Sequence, residues 1–379
     1  MDSADRSDRN GDEMKSDVII IGGGIAGVSA GALIASGAQV TLLESESMIG
    51  HHTTGRSAAM FIRNYGGPAV ARLNEIAEAV FENPEGITDQ PLLTPRGELH
   101  VARADEAEHL ERYLRDAEGM DRVTAEEALQ LCPILRPEAA VHAAIERGAQ
   151  AIDTDLLLQG YAKMLRRKGS RIETGAPVTA ITHQGGTWRV ETPKGTFEAP
   201  VLVNAAGAWA DQVAGLAGLA PVGLVPRRRN AAILPAPAGH DVETWPMVVN
   251  AADRWYIKPE AGKLMFSPSD AVPSDPCDAW SDDMELAEGL DRFSQDVTYE
   301  VTRVERSWAG LRSFAPDLAP VVGFDPDATG FWWLAGQGGT GIQTAPALAA
   351  LSAAGVLGQP SPVSDEVLAS FSPKRFRTA

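Results

Sequence analysis

The apolar pattern near the start of the chain predicts a strand, a turn, a helix and a second strand. A β-branched run, Val18–Ile21, is followed by glycines and then by small apolar residues over 26–36. Continuous β-branched runs are typical of parallel strands that are buried on both faces. Gly37 ends the predicted helix, and an apolar run over 39–43 leads to Glu44. The two strands should therefore lie side by side in one buried sheet.

The turn between them carries the spacing of a dinucleotide site. Gly22, Gly24 and Gly27 fit G-x-G-x-x-G, in which the first glycine permits a tight turn and the second lets a pyrophosphate approach the backbone. The third lets the helix pack closely on the strand. Glu44, at the end of the second strand, stands where a carboxylate binds a ribose diol. The unit predicts a Rossmann-like domain.

Further periodicity predicts helices, and short alternating runs predict strands of a second sheet. The predicted helices cover residues 68–82, 105–117, 124–131, 151–168, 284–293 and 343–355. Thr124 and Asp153 stand at helix starts as caps, the first with a capping box to Glu127. The predicted strands cover residues 92–102, 177–183, 187–192, 196–199, 201–204, 231–234, 247–250, 254–258, 264–267, 301–311 and 331–335.

This order predicts an α/β fold, α+β overall, in which an antiparallel sheet packs on the nucleotide domain. A chain of 379 residues is long enough for about two domains. Residues 16–90, 150–222 and 314–379 are assigned to the cofactor domain. Residues 91–149 and 223–313 are assigned to a substrate domain, and residues 1–15 to a disordered tail.

Charge and cysteine content narrow the range of partners. The 33 Lys and Arg against 51 Asp and Glu give a net charge of −18, which disfavours nucleic acid and acidic membrane surfaces. The first 15 residues lack an apolar signal segment, and no run reaches the roughly 18 apolar residues of a membrane span. The two cysteines, Cys132 and Cys277, are far apart, as in a reduced cytoplasm. Peripheral attachment to the inner membrane stays open.

Two further glycine-rich turns follow predicted strands, and a polar loop follows Glu44. The turns, at 205–209 and 336–342, let backbone approach a cofactor closely. The loop contains His51 and His52, whose side chains should diverge because the residues are adjacent. Since no other histidine stands at a metal-ligand spacing, no metal site is predicted.

These motifs together resemble the D-amino-acid oxidase superfamily of flavoproteins over nearly the whole chain. The similar stretches are residues 51–59, 204–209, 308–312 and 336–344. Residues 91–98, 153–155, 228–229, 245–247 and 256–259 are most similar to bacterial FAD-dependent D-arginine dehydrogenases. The resemblance implies a glutathione-reductase-like FAD fold with a substrate sheet over the flavin. No cysteine lies between Arg312 and Gly341, where sarcosine-oxidase relatives attach their flavin, so non-covalent FAD is favoured.

The resemblance also implies which residues bind the cofactor and the substrate. Arg229 and Arg312 match the arginines that clamp the substrate carboxylate, helped by Tyr256. Tyr65 matches a lid tyrosine, while Gly339 and Glu98 match contacts to the amine and to a cationic side chain. The implied FAD-binding residues are Gly22, Gly24, Ile25, Ala26, Gly27, Glu44, Ser45, Thr54, Gly55, Arg56, Ser57, Ala58, Ala59, Val178, Ala206, Gly207, Trp209, Gly310, Gly338, Gly339, Thr340, Gly341 and Ile342.

The implied reaction is oxidation of a D-amino acid, in which the flavin takes the α-hydrogen as hydride and the imino acid hydrolyses to a 2-oxo acid and ammonia. Met60, residues 62–64 and Thr340 depart from the arginine enzymes. A secondary-amine or imino-acid substrate, such as sarcosine, glycine or D-hydroxyproline, therefore stays open. A flavin protein whose cofactor is structural or regulatory is a third alternative, against which the paired arginines argue. Oxygen or a quinone would reoxidise the flavin, and no motif selects between them.

Overall fold

The computed structural model describes residues 14–377, which form four sheets and nine α-helices. A six-stranded sheet, here the cofactor sheet, contains both strands of the glycine-rich unit. Its strands are parallel except the last. In spatial order they are Arg171–Glu173, Val40–Leu43, Val18–Ile21, Val201–Asn204, Phe331–Ala335 and Val321–Phe324.

The cofactor sheet is covered on both faces, as its β-branched strands require. All residues of Val18–Ile21 and Val40–Leu43 are buried. One face packs on helices Ile25–Ile34, Thr154–Arg167 and Ala345–Leu357, and the other packs against an apolar cluster around Trp188 and Trp333. The remaining helices are Gly67–Glu82, Ala107–Leu114, Ala125–Leu131, Ala210–Leu216, Asp283–Asp296 and Asp365–Phe371.

A nine-stranded sheet forms the second layer and is called here the substrate sheet, after the predicted substrate domain to which its strands belong. Its neighbours are antiparallel except for the pair Glu98–Ala102 and Met247–Asn250, which is parallel among the described strands. Eight strands follow the order Val272–Pro273, Val225–Leu234, Lys263–Ser267, Tyr256–Glu260, Met247–Asn250, Glu98–Ala102, His142–Glu146 and Asp121–Val123, and Arg306–Phe314 pairs with Val225–Leu234. The predicted α/β fold is confirmed, but this sheet is mixed rather than wholly antiparallel, because Glu98–Ala102 and Met247–Asn250 run parallel.

Two small sheets correct the predicted boundaries. The strand predicted over 92–102 is two strands in different sheets, Leu93–Pro95 and Glu98–Ala102, because Gly97 turns the chain with a φ of +76°. Residues 14 and 15 were assigned to the tail, yet they pair with Gly195–Ala199. Residues 1–13 lie outside the described range. The third and fourth sheets also contain Met60–Phe61, Gln150–Ile152, Ala180–Gln184 and Thr187–Thr192.

Two helices start at the predicted caps, whereas some predicted limits of helices and strands differ from the observed ones. Asp153 caps Thr154–Arg167 by accepting from the Leu156 amide at 2.8 Å, so the helix starts three residues after 151. Thr124 accepts from the Glu127 amide at 3.1 Å. The run predicted over 301–311 lies instead at Arg306–Phe314. The domain limits stay a prediction. Within residues 14–377, no helix is both long and apolar enough to span a bilayer.

Candidate active site

The glycine-rich turn is built so that only glycine fits its first position. Gly22 has a φ of +114°, and a Cβ there would lie 2.3 Å from the Ala205 carbonyl oxygen. A Cβ on Gly27 would lie 2.0 Å from the Gly22 carbonyl oxygen, so the third glycine brings the helix against the turn. The nearby Glu44 carboxylate is buried and accepts from the Gly23 amide at 2.6 Å and the Glu46 amide at 2.8 Å.

A cavity of about 460 Å³ begins at this turn and runs to the substrate sheet. It is lined by most of the residues predicted to bind the cofactor: Gly22, Gly24, Ile25, Ala26, Glu44, Ser45, Thr54, Arg56, Ser57, Ala58, Val178, Ala206, Gly207, Trp209, Gly310, Gly338, Gly339, Gly341 and Ile342. We refer to it as the cofactor cavity. Gln337 also lines it, and its side-chain nitrogen has no hydrogen-bond partner among the described residues.

Four residues predicted to bind the cofactor do not line this cavity. Gly27 and Gly55 pack against neighbouring backbone, where a Cβ would clash with the carbonyl oxygens of Gly22 and Gly50, respectively. Thr340 is buried, with its hydroxyl donating to the Gln337 carbonyl at 2.9 Å. Ala59 lines the second cavity, described below. These residues shape the backbone around the cavity.

Arg56 ties the loop after Glu44 to the substrate sheet. Its guanidinium donates to the Ala279 carbonyl at 2.7 Å and to the Ala309 carbonyl at 3.0 Å, and it pairs with Asp278. The Trp308 indole donates to the Arg56 carbonyl at 3.1 Å. Most donors of this guanidinium are therefore already used within the protein.

A second cavity of about 1020 Å³ adjoins the first and is called here the substrate cavity. One wall is a face of the substrate sheet, because alternate residues of neighbouring strands point to the same side. The cross-strand partners Glu98 with Met247, His100 with Val249 and Val249 with Tyr256 define this wall. The two cavities share the lining residues Ser57, Ala58, Arg229, Tyr256, Arg312, Gly339 and Ile342.

Two arginines meet where the cavities join. Arg229 lies opposite Gly310 on paired strands, so Arg312, two residues further, projects from the same face. Burial lowers the pKa of Arg229 and the Arg312 charge lowers it further. The Arg229 Nε has no partner within residues 14–377. Arg228 points to the opposite face, as alternation predicted, and pairs with Asp282 at 3.0 Å. This pair of cations at the junction suits an anion.

Tyr256 lies against both arginines and responds to their charge. Burial acts to raise the pKa of its phenol, but Arg312 and Arg229 outweigh burial and hold that pKa below its ordinary value. The phenol also hydrogen-bonds Ser267. The hydroxyl is thus placed to share an anion with the guanidiniums.

An acidic cluster lies at the other part of the substrate cavity. Glu98 is 4% exposed and is 2.9 Å from the His100 Nε2. The Tyr113 ring stacks on His100 at 4.2 Å between centroids, and its buried hydroxyl has no partner in the described chain. Burial, with Glu98 and Glu146 nearby, raises the pKa of that phenol. Of this cluster, only Glu98 was predicted from the sequence. His100 and Tyr113, which also line the cavity, carried no motif, nor did Glu146, which lies opposite Glu98 and outside the cavity lining.

Residues 62–66, called here the lid, cover part of the substrate cavity and carry Tyr65. A Cβ on Gly339 would lie 2.3 Å from the Tyr65 hydroxyl oxygen, so the two residues are in close contact. The Gln343 side chain holds the lid from below, donating to the Tyr65 carbonyl at 3.2 Å and to Asn74 at 3.1 Å.

His51 and His52 do not diverge as expected from their adjacency. Their rings lie 4.8 Å apart between centroids, and the possible metal-ligand atoms of Glu46, His51 and His52 all lie within 4.8 Å of one another. Each histidine has an acidic neighbour, since His52 is 3.1 Å from Glu46 and His51 is 3.6 Å from Asp278. The absence of a metal stays a prediction.

The comparison with protein families decides the class. Residues 17–354 match the model of the FAD dependent oxidoreductase (DAO) family. The chain belongs to this family. The match extends over both large sheets and both cavities, so the family's cofactor, FAD, is the cofactor of this protein.

Known relatives of this family member are distant in sequence. Mitochondrial dimethylglycine dehydrogenase of Homo sapiens is 23% identical over 351 residues, covering 86% of this chain and 40% of that protein. Glycine oxidase of Bacillus licheniformis is 24% identical and covers 95% of this chain and 97% of the relative. The solved glycine oxidase of Geobacillus kaustophilus has a TM-score of 0.82 at 23% identity over 96% of this chain and 99% of that one, which shows a shared fold. The chain thus spans about 40% of the dimethylglycine dehydrogenases.

The residues of the cofactor cavity fit FAD. The Ala205 carbonyl leaves no room for a side chain at Gly22, so the turn is tight, and Gly24, where a pyrophosphate would approach the backbone, lines the cavity without a side chain. Glu44 is a buried carboxylate placed for a ribose diol. The unpartnered Gln337 amide offers a donor to a polar ring edge. Bound FAD supplies a two-electron hydride acceptor. The protein's own residues then have to bind and orient the molecule that is oxidised.

Proposed function

We propose that the protein is an FAD-dependent dehydrogenase or oxidase of D-amino acids and that it prefers basic side chains such as those of D-arginine and D-lysine. The observation that carries the proposal is the polarity of the substrate cavity. Arg229 and Arg312 stand at its junction with the cofactor cavity, and Glu98 lies in its other part. A basic amino acid has the complementary charges at its two ends.

The spacing of the strands supports a long substrate. The strands of Tyr256 and Glu98 are two steps apart in the substrate sheet, which corresponds to about 10 Å at the usual strand spacing. Met247 and Val249 lie between them on the same wall, and Met60 and Ile62 add apolar contacts. This apolar middle suits the methylene groups of the side chain.

Each polar group has one task in the proposed reaction. The guanidiniums of Arg229 and Arg312 bind the α-carboxylate with charge-assisted hydrogen bonds, and Tyr256 adds a third donor. Gly339 offers its backbone carbonyl to the amine, and Tyr65 closes the cavity against water. Holding the α-carbon in one orientation is the main contribution of these residues, because no strong base is needed once the amine is neutral. The imino acid then hydrolyses to a 2-oxo acid and ammonia.

FAD is proposed to be bound without a covalent bond. Neither Cys132 nor Cys277 lines the cofactor cavity. Acid precipitation should therefore release the yellow chromophore into the supernatant, and retention in the pellet would contradict this binding mode. The acceptor of the electrons is proposed to be oxygen or a quinone, and readmission of air after reduction separates the two.

A second function is favoured by the names of the relatives. Glycine oxidase and dimethylglycine dehydrogenase act on small amines, as their names state. A glycine, sarcosine or imino-acid oxidoreductase is therefore the alternative, with the arginines in the same role. The size and the acidic part of the substrate cavity favour the basic amino acid.

Anaerobic mixing with D-arginine, D-lysine, D-methionine, L-arginine, glycine and sarcosine tests the proposal. We expect the basic D-amino acids to bleach the oxidised flavin fastest. The Glu98→Gln variant should lose about 2 kcal/mol, roughly 30-fold in kcat/KM, for D-arginine but not for D-methionine. Bleaching by glycine or sarcosine alone would support the alternative, and no bleaching by any of them would reject an amino-acid oxidoreductase.

A further inference from the structure

Glu146 is a buried carboxylate that the proposed reaction does not use. It lies directly opposite Glu98 on the neighbouring antiparallel strand, so both side chains point to the same face. Both residues are 4% exposed. Like charges in such a pair destabilise each other, and a buried pair does so more strongly because water screens it less.

Both oxygens of Glu146 accept hydrogen bonds from the lid. The Arg63 amide donates to Oε1 at 2.9 Å, and the Asn64 side-chain amide donates to Oε2 at 2.7 Å. Asn64 also bonds the backbone of Glu118, at 2.9 Å in both directions. The lid is thus fixed to the substrate sheet chiefly through one carboxylate. The lid ends at Gly66 and is followed by Gly67, and both glycines have positive φ.

We propose that Glu146 is a positioning residue that couples a cation beside Glu98 to closure of the lid. The inference rests on the proposed function, because it assumes a substrate with a cationic side chain. A cation between the lid and Glu98 offsets the repulsion between the two carboxylates. Glu146 then stays ionised and accepts from both lid donors, and Tyr65 is held against Gly339.

The coupling follows from the way a carboxyl group bonds. An ionised carboxylate offers only acceptors, whereas a protonated one carries a donor on one oxygen. Both oxygens of Glu146 accept from lid donors. Protonation of either oxygen would place its O–H group opposite an N–H donor, and that hydrogen bond to the lid would be lost. Burial raises the pKa of Glu146, the bonds from Arg63 and Asn64 oppose that rise, and Glu98 adds to it. An empty cavity therefore weakens the lid contact.

The groups around Glu146 come from three elements besides its own strand. On the neighbouring strand, Glu98 is the second carboxylate of the pair and is hydrogen-bonded to His100. The lid, the neighbouring strand and the helix Ala107–Leu114 contribute the titratable or charged groups Arg63, Tyr65, Glu98, His100 and Tyr113. The Arg63 guanidinium is occupied by Glu78 of the helix Gly67–Glu82. Glu98 lines the cavity and Glu146 lies directly opposite it on the next strand, so a cation bound against Glu98 would act on both carboxylates.

Hydrogen exchange of the lid amides, measured by mass spectrometry on the FAD-bound protein, tests the coupling. The Glu146→Gln variant keeps the side-chain shape but lacks the second acceptor and the charge. We expect its lid peptide to exchange about tenfold faster than in the wild type, as for loss of a hydrogen bond to a charged group. The matched control is Glu78→Gln, which weakens the pairing of the Arg63 guanidinium but leaves both bonds to Glu146 and should change the exchange by less than twofold.

The cation dependence is measured with 5-guanidinopentanoate, which has a carboxylate and a guanidinium but no amine to oxidise. Its binding is followed by the change in the oxidised flavin spectrum. It should slow lid exchange in the wild type and in Glu78→Gln, but not in Glu146→Gln. Hexanoate, which lacks the cation, should slow exchange in none of them.

The outcomes separate this inference from the proposed function. If 5-guanidinopentanoate fails to bind to the wild type, the proposed substrate class is wrong, whereas faster exchange in ligand-free Glu146→Gln would still support the lid contact. Equal exchange in Glu146→Gln and the wild type, with equal protection by the ligand, would overturn the role of Glu146. Should Glu146→Gln lose its FAD, Asn64→Ala removes one of the same contacts from the lid side together with the two bonds to Glu118. The test in that variant is the effect of the ligand, and 5-guanidinopentanoate should slow its lid exchange less than in the wild type.

Discussion

The Arg229 guanidinium lies over the Tyr256 ring, with its central carbon 5.9 Å from the ring centroid. The contact joins two strands of the substrate sheet that are not neighbours, because the strand Lys263–Ser267 lies between them. Tyr256 therefore links the two arginines that are proposed to bind the carboxylate to the wall that leads to Glu98. Its protonation state decides how much positive charge the junction offers to a ligand.

Tyr256→Phe should abolish the weakening of carboxylate binding at alkaline pH. Above the lowered pKa of Tyr256, its phenolate pairs with Arg229 and Arg312 and repels the carboxylate of a ligand. The dissociation constant of 5-guanidinopentanoate should thus rise with pH through that pKa in the wild type and stay level in the variant. The ligand keeps its charges throughout, because a guanidinium titrates only above about 12. An equal rise of the dissociation constant with pH in both proteins would contradict this role of Tyr256.

Arg312→Lys should abolish most of the activity while the flavin stays bound. A lysine ammonium cannot reproduce the paired hydrogen bonds of a guanidinium to a carboxylate. We expect kcat/KM for the best D-amino acid to fall by about 3 kcal/mol, or more than 100-fold. Arg228→Lys is the control, since Arg228 lies nearby on the opposite face and pairs with Asp282. A similar loss in both variants would indicate a structural role for the strand.

Local sequence patterns predicted the parts of the site that are made by neighbouring residues. The βαβ unit from Val18 to Glu44 needs only residues close in sequence, and its glycine spacing follows from sterics. The opposite directions of Arg228 and Arg229 follow from strand alternation. Both features could be predicted because no distant part of the chain has to be known.

Contacts between distant segments could not be predicted in this way. Glu146 lies opposite Glu98 only because of the register of two strands far apart in sequence, which no local pattern gives. Tyr113 reaches the substrate cavity from the helix Ala107–Leu114, whose sequence pattern predicted a helix but no contact with the site. The split at Gly97 was missed because alternation continues across it, although Gly97 has positive φ. The acidic part of the cavity is thus a property of the fold.

Gly339→Ala should impair catalysis through Tyr65. The added methyl would lie 2.3 Å from the Tyr65 hydroxyl oxygen and 3.1 Å from the carbon that carries it. We expect kcat/KM to fall by about 2 kcal/mol, the usual cost of overpacking. Tyr65→Phe removes the nearest atom, so the double variant should recover part of the loss, measured as a double-mutant cycle with flavin content as the check. Strictly additive losses would mean that the two residues act independently.

The stability of the substrate sheet should depend on Asp296, at the end of the helix Asp283–Asp296. This carboxylate is fully buried and accepts from the Trp255 indole and the Arg103 Nε, each at 2.6 Å. Asp296→Ala leaves two donors without a partner, one of them charged, and should lower the free energy of unfolding by about 3 kcal/mol in urea titrations. Asp291→Ala, at an exposed position of the same helix, should cost no more than about 0.5 kcal/mol. Since alanine is a better helix former than aspartate, helix propensity predicts no loss in either variant. Equal losses would therefore show that the buried hydrogen bonds of Asp296 do not set the stability of this region.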